Sequence, residues 1–175
     1  MKHHFAKKRG IYKISRSSST SFFSVIGWIV VCELVGIVGS IFTVQSIPTW
    51  YQTLVKPVFS PPNWLFGPVW TVLYALMGIA VYRIWRLGMK KDQVRHAVIL
   101  FIMHLALNAI WSPIFFGAQQ IPLAFVTIAI MWLTLITIIF RFEKLDKVSA
   151  LFLVPYLGWI SFAMVLNYNF WILNP

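Results

Sequence analysis

The chain has 175 residues, 59% of them hydrophobic and only 11% charged, where a soluble domain carries roughly a quarter charged residues. That excludes an ordinary soluble protein and predicts a membrane protein of about five spans, since each needs about 20 apolar residues; no room is left for a separate catalytic domain. The formal charge of +11 does not indicate nucleic acid, because the basic residues flank apolar runs. The single cysteine, Cys32, lies inside the first of these runs and excludes a disulfide framework.

Residues 1–21 hold Lys2, Lys7, Lys8, Arg9, Lys13 and Arg16 with no acid, then SRSSSTS, and read as a disordered tail facing anionic lipid. An acid-poor Arg/Ser segment is also what a targeting peptide looks like. The rest, 22–175, is expected to form one transmembrane domain. Its first span runs over about 22–44, interrupted by Glu33, with the small residues Gly36, Gly39 and Ser40 on one side, where a neighbouring backbone can come close.

Next comes WYQTLVKPVFSPPNWLFGPVW, residues 50–70, with four of the nine prolines beside three tryptophans. Pro57, Pro61 and Pro62 rule out one continuous helix, since proline removes a donor and biases its predecessor toward extended geometry. The segment is nonetheless too aromatic for a solvated loop, so it reads as a shaped cap over the bundle. The second span is expected at about 65–85 with Pro68 in its first turn. The third follows at about 94–116, the fourth at about 122–140 and the fifth at about 148–171, with RFEKLDK as a charged turn between the last two.

Five spans put the tail and the second and fourth connections on one side with fourteen basic residues; the other side holds only Lys56. By the positive-inside rule the N-terminus is cytoplasmic, and the cap and C-terminus lie outside.

No arrangement points to hydrolytic or metal chemistry. Asp92, Glu143 and Asp146 sit in turns, leaving no carboxylate pair, and His104 is mid-span without a second ligand at metal spacing. Glu33 should face the bundle, protonated or paired, because a carboxylate in hydrocarbon costs at least about 2.5–3.5 kcal/mol. His104, Asn108 and Trp111 follow one stripe of the third span, as a polar clasp between helices or a ligand-facing patch. Trp28, Trp50, Trp85 and Trp171 sit at or near span ends as interfacial anchors. Trp70, Trp111 and Trp159, with Phe66, Tyr74 and Phe162, either line an aromatic cavity for a flat hydrophobic ligand or pack as ordinary core.

Three segments, WYQTLVKPVFSPPNWLFGPVWTVLY, ALNAIWSPIFFGAQQ and PYLGWISFAMVLNYNFW, occur in the order of the TspO/MBR family and resemble it over about residues 22–174. The resemblance implies an all-α membrane protein. It would be a five-helix bundle, often a homodimer, whose proline- and tryptophan-rich loop caps a ligand cavity. The implied ligand is protoporphyrin IX or a related tetrapyrrole, with no required cofactor and no metal, in a bacterial cell membrane. The implied role is sensor or regulator; alternatives are light- or oxygen-dependent porphyrin breakdown, and transport of porphyrin or another hydrophobic ligand. Carried over by motif, the ligand residues are Trp64, Phe66, Trp70, Asn108, Trp111, Trp159, Phe162, Ala163 and Leu166; Tyr74 and His104 join them from the aromatic and polar stripes read above. No catalytic residue is assigned unless porphyrin is degraded, in which case Trp70 and Trp159 are the pair. Val165 and Tyr168 are followed by no basic residue, Ile172 standing in its place, which disfavours a sterol. Ile99 and Met103 occupy the third-span face that some relatives use to dimerise.

Overall fold

The computed structural model describes residues 18–175; the basic tail expected at the N-terminus lies, up to residue 17, outside the described residues. Every regular element among them is helical. The order is α1 (Ser18–Ser46), α2 (Trp50–Thr53), α3 (Asn63–Trp85), α4 (Asp92–Ser112), a π-helical turn (Pro113–Gly117), α5 (Ile121–Leu145) and α6 (Lys147–Leu173). Five of these are long and apolar enough to cross a bilayer. The protein is a multi-pass integral membrane protein built as a five-helix bundle.

The helix ends follow from local chemistry and differ from expectation in three places. Pro62 is extended, with φ −62° and ψ 142°, and α3 starts directly after it at Asn63. Pro68 therefore lies past the first turn, inside the helix, where the bond to the Trp64 carbonyl is missing. At the end of α4, Pro113 has no N–H to continue the α pattern, and the chain widens into the π turn, closed by Ala118 N–H to Pro113 O at 2.8 Å. The segment RFEKLDK is mostly not a turn. Residues 141–145 extend α5, and Asp146 alone joins it to α6. Its extended backbone breaks the helix, and its carboxylate accepts from the Val148 N–H at 3.2 Å to cap the next one.

The same carboxylate takes a two-point contact from Arg83, Nε to Oδ2 at 2.7 Å and Nη2 to Oδ1 at 3.1 Å, tying α3 to the α5–α6 corner. Nearby, the Ser149 hydroxyl donates to the Ala80 carbonyl at 2.6 Å. Around this basic end the core is aliphatic and closed: Ala80, Val81, Ile84, Val98, Phe101, Ile138, Phe142 and Leu153 are all buried. α1 lies on the outside, exposing Phe22, Val30, Leu34, Ile37, Val38 and Ile41 to lipid. It approaches α3 most closely at Gly78, where a Cβ would sit 2.6 Å from the Ile29 Cα. Gly36 is close too, but to the Tyr74 ring rather than to backbone.

Candidate ligand cavity

At the end opposite the basic residues, the helices stand apart around a cavity of about 530 Å³, within the usual range for small-molecule sites. Residues 47–62 cover it. Pro57, Pro61 and Pro62 keep most of this lid out of helix, and α2 makes one short turn that lowers Tyr51 between Phe116 and Phe170, with ring centroids at 5.6 and 5.5 Å. Burial pushes the Tyr51 phenol above its ordinary value. Lys56 lies 4.6 Å over the Tyr51 ring, and Phe59 packs edge-on against Phe162. Trp50, expected as an interfacial anchor, instead packs on Phe115 at 5.7 Å. The lid's backbone is clipped at Val55, whose N–H and C=O both pair with the side-chain amide of Asn174, at 2.9 and 3.0 Å.

The aromatic wall comes from α3 and α6. Trp70 stacks on Tyr74 at 5.2 Å and meets Tyr156 edge-on. Phe66 meets Trp159 edge-on at 5.9 Å. Trp111 of α4 stacks on Phe115 of the π turn at 5.2 Å. Phe115 and Phe116 of the widened turn both line the cavity, their rings meeting edge-on at 4.8 Å.

Behind that wall runs a directional chain of hydrogen bonds. Tyr74 donates to Asn108 Oδ1 at 2.6 Å, and Asn108 Nδ2 donates to the Tyr156 oxygen at 2.7 Å. The Tyr156 proton then goes to His104 Nε2 at 2.9 Å, so Nδ1 carries the imidazole proton and donates to Thr134 Oγ1 at 2.9 Å. Thr134 in turn donates to backbone carbonyls of its own helix. Every member is satisfied, as a buried network must be to avoid a desolvation penalty.

A second cluster joins α1 to α4: Ser112 donates to the Gly39 carbonyl at 2.7 Å, and Thr43 bonds Ser112 at 2.8 Å. Trp111 Nε1 donates to Asn167 at 3.2 Å. Three buried side-chain polar atoms among the described residues find no partner, the Ser46 and Ser60 hydroxyls and the Trp159 Nε1.

Of the side chains proposed from sequence, Trp64, Phe66, Trp70, Tyr74, Asn108, Trp111, Trp159, Ala163 and Leu166 line the cavity. His104 does not. It is fully buried behind Tyr156 with both ring nitrogens engaged, because its place on α4 faces α5 and α6 rather than the gap. Phe162 packs against Trp159 and Phe59, next to the lining rather than in it. Gly39 and Ser40, read from sequence as a small-residue face of the first span, line the cavity too, but Thr43, Ser112, Phe115, Phe116 and Phe170 were missed. Phe115 and Phe116 stand just past Pro113, and all three phenylalanines lie in the segments that carry the family resemblance. Among the described residues, no three His, Cys, Asp or Glu side chains come together as a metal site.

The TspO/MBR family profile matches residues 28–172, which include the lid, three spans whole, most of the first and all but the last residue of the fifth, and every cavity residue. The chain belongs to the TspO/MBR family. It is 43% identical to the tryptophan-rich protein TspO of Chlorobaculum tepidum over 82% of this chain and 91% of that protein. With the protein CrtK of Rhodobacter capsulatus it shares 35% identity over 90% of this chain and 95% of the relative. With the human translocator protein it shares 37% over 77% and 80%. TspO/MBR membership therefore extends from bacterial sensory proteins to animal translocators, and this chain is similar to both.

Proposed function

We propose that the protein is a membrane receptor for a tetrapyrrole, protoporphyrin IX or a close relative, acting as sensor or regulator. The observation that carries this reading is the aromatic lining of the cavity, to which Phe66, Trp70, Trp111 and Trp159 all contribute. The Trp159 Nε1 is shielded and unpartnered; a buried donor without a partner costs about 1–3 kcal/mol, which a turn of the ring toward a ligand oxygen would recover. The rings of Phe66 and Trp70 on α3 and of Trp111 on α4 suit a flat aromatic ligand, and the name of one relative, tryptophan-rich sensory protein, fits a sensing role. The positive-inside rule supports a lid facing outward and a cytoplasmic N-terminus. Trp70→Phe with Trp159→Phe is expected to weaken protoporphyrin IX binding, read by quenching of the remaining tryptophans, at least tenfold. Unchanged affinity would overturn the reading.

A second reading, porphyrin breakdown in light, is favoured by the contact of Trp70 with two tyrosines. An indole oxidised by an excited porphyrin would have reductants within van der Waals reach. Loss of the Soret band on illumination, faster than with free tryptophan and abolished in the double variant, would support it. A stable Soret band would leave binding alone.

A further inference from the structure

Among the described residues, Glu33 is the one charged residue that lines the cavity, and no lysine, arginine or histidine does. It stands near the middle of α1, half-buried. The ion pairs among the described residues are Arg83–Asp146 and Arg95–Asp92, and Glu33 belongs to neither. A carboxyl at that depth is costly on any insertion scale. The hydroxyls that line the wall from Glu33 toward the lid do not offset the cost. The hydroxyls of Ser40, Thr43, Thr71, Tyr74 and Ser112 all give their protons to acceptors within the protein. Toward the cavity these groups present lone pairs. Gly36, one turn from Glu33, adds no side chain to screen it.

We propose that Glu33, with the lone pairs that line the wall between it and the lid, makes the cavity cation-accepting, so that it selects flat hydrophobic ligands carrying a protonated nitrogen. This goes beyond the tetrapyrrole reading and does not depend on it. For a dicarboxylate tetrapyrrole the same group acts as a negative determinant, holding the ligand carboxylates away from α1 and toward the lid. Charge-assisted hydrogen bonds in a low-dielectric site are the strong ones, and removing one is expected to cost at least a factor of ten.

The test compares 9-aminoacridine, a flat cation at neutral pH, with its neutral isostere 9-aminoanthracene. Both are partitioned between protein-loaded and empty phosphatidylcholine nanodiscs. The native protein is expected to bind the cation at least tenfold more tightly than the isostere. Glu33→Gln is expected to remove that preference while leaving affinity for the neutral compound within twofold, and Glu143→Gln, on the charged end of α5, is expected to keep it. Equal binding of the two probes, or a preference that survives Glu33→Gln, overturns the proposal. Glu33→Asp, which withdraws the carboxylate by one methylene, gives a second reading that does not require the charge to be lost: attenuation supports the subsite and no change refutes it. Protoporphyrin IX and its dimethyl ester are measured on the same samples. Failure of both to bind would count against the tetrapyrrole reading alone.

Discussion

At the basic end α3, α4, α5 and α6 close on one another; at the lid end the same helices stand apart. The closed end is built from Ala80, Val81, Ala97, Val98, Ile138 and Leu153, all buried, with Phe101 stacked on Phe142. The open end is built from indoles, phenols and a π turn, rings too large and too rigid to interdigitate fully. Lipid tails are as apolar as leucine, so helices in a bilayer associate through close packing and hydrogen bonds rather than through exclusion of water. One half of this bundle therefore carries the stability, and the other can leave a cavity unfilled.

The largest effect expected from testing this division comes from one substitution made in both halves. Gly78→Ala puts a Cβ 2.6 Å from the Ile29 Cα, against backbone that cannot move without shifting α1. Overpacking of this kind costs about 1–3 kcal/mol and occasionally more, despite the better helix propensity of alanine. Gly158→Ala, beside the cavity-lining Trp159 of α6, meets nothing within 4 Å. It is expected to leave stability unchanged or raise it by up to about 1 kcal/mol. Thermal unfolding followed by near-UV circular dichroism reads both; equal effects would mean the halves are not energetically distinct.

Next in size is the polar chain between the halves. Tyr156→Phe deletes the oxygen that accepts from Asn108 and donates to His104, leaving two buried groups without that partner. The expected cost is about 1–3 kcal/mol, measured by the same unfolding. Because Asn108 holds Tyr74, and Tyr74 carries Trp70 in a stack, the near-UV signal of the folded state should also change. A variant with native stability and spectrum would show that the chain is incidental.

The difference between the halves also explains what could be read from sequence. Five apolar runs and their basic flanks fixed the bundle, since lipid demands helices that satisfy their own backbone. The tryptophans of FGPVW and PYLGW could be placed on the cavity because they sit in motifs. His104 could not. It shares a stripe with Asn108 and Trp111, and periodicity does not say which of two neighbouring helices a residue faces once a helix is covered on both sides. The π turn hid Phe115 and Phe116 for a similar reason, since a proline announces a break without saying whether the chain stops or widens. The clip between Val55 and Asn174 joins residues far apart in the chain, and only a folded C-terminus reveals it.

That clip gives the smallest expected effect on stability and a sharp one on motion. Asn174 is held in place by its own amide donating to the Phe170 carbonyl at 2.9 Å, and it grips the Val55 N–H and C=O together. These bonds are exposed to solvent, so Asn174→Ala should cost no more than about 1 kcal/mol overall. The prolines leave the lid few backbone bonds of its own, the Ser60 N–H to Pro57 carbonyl contact being one. The loss therefore falls almost wholly on lid opening, where about 1 kcal/mol is about a fivefold change in the open population. Amide hydrogen exchange is expected to speed up at least fivefold at Val55, whose N–H loses its acceptor, and about fivefold at Ser60, whose N–H is bonded within the lid, while exchange in the Arg83–Asp146 corner stays as it was. If exchange rises equally at both ends, the lid is not an independent unit, and the aromatic contacts of Tyr51 and Phe59, rather than the clip, set how often it opens.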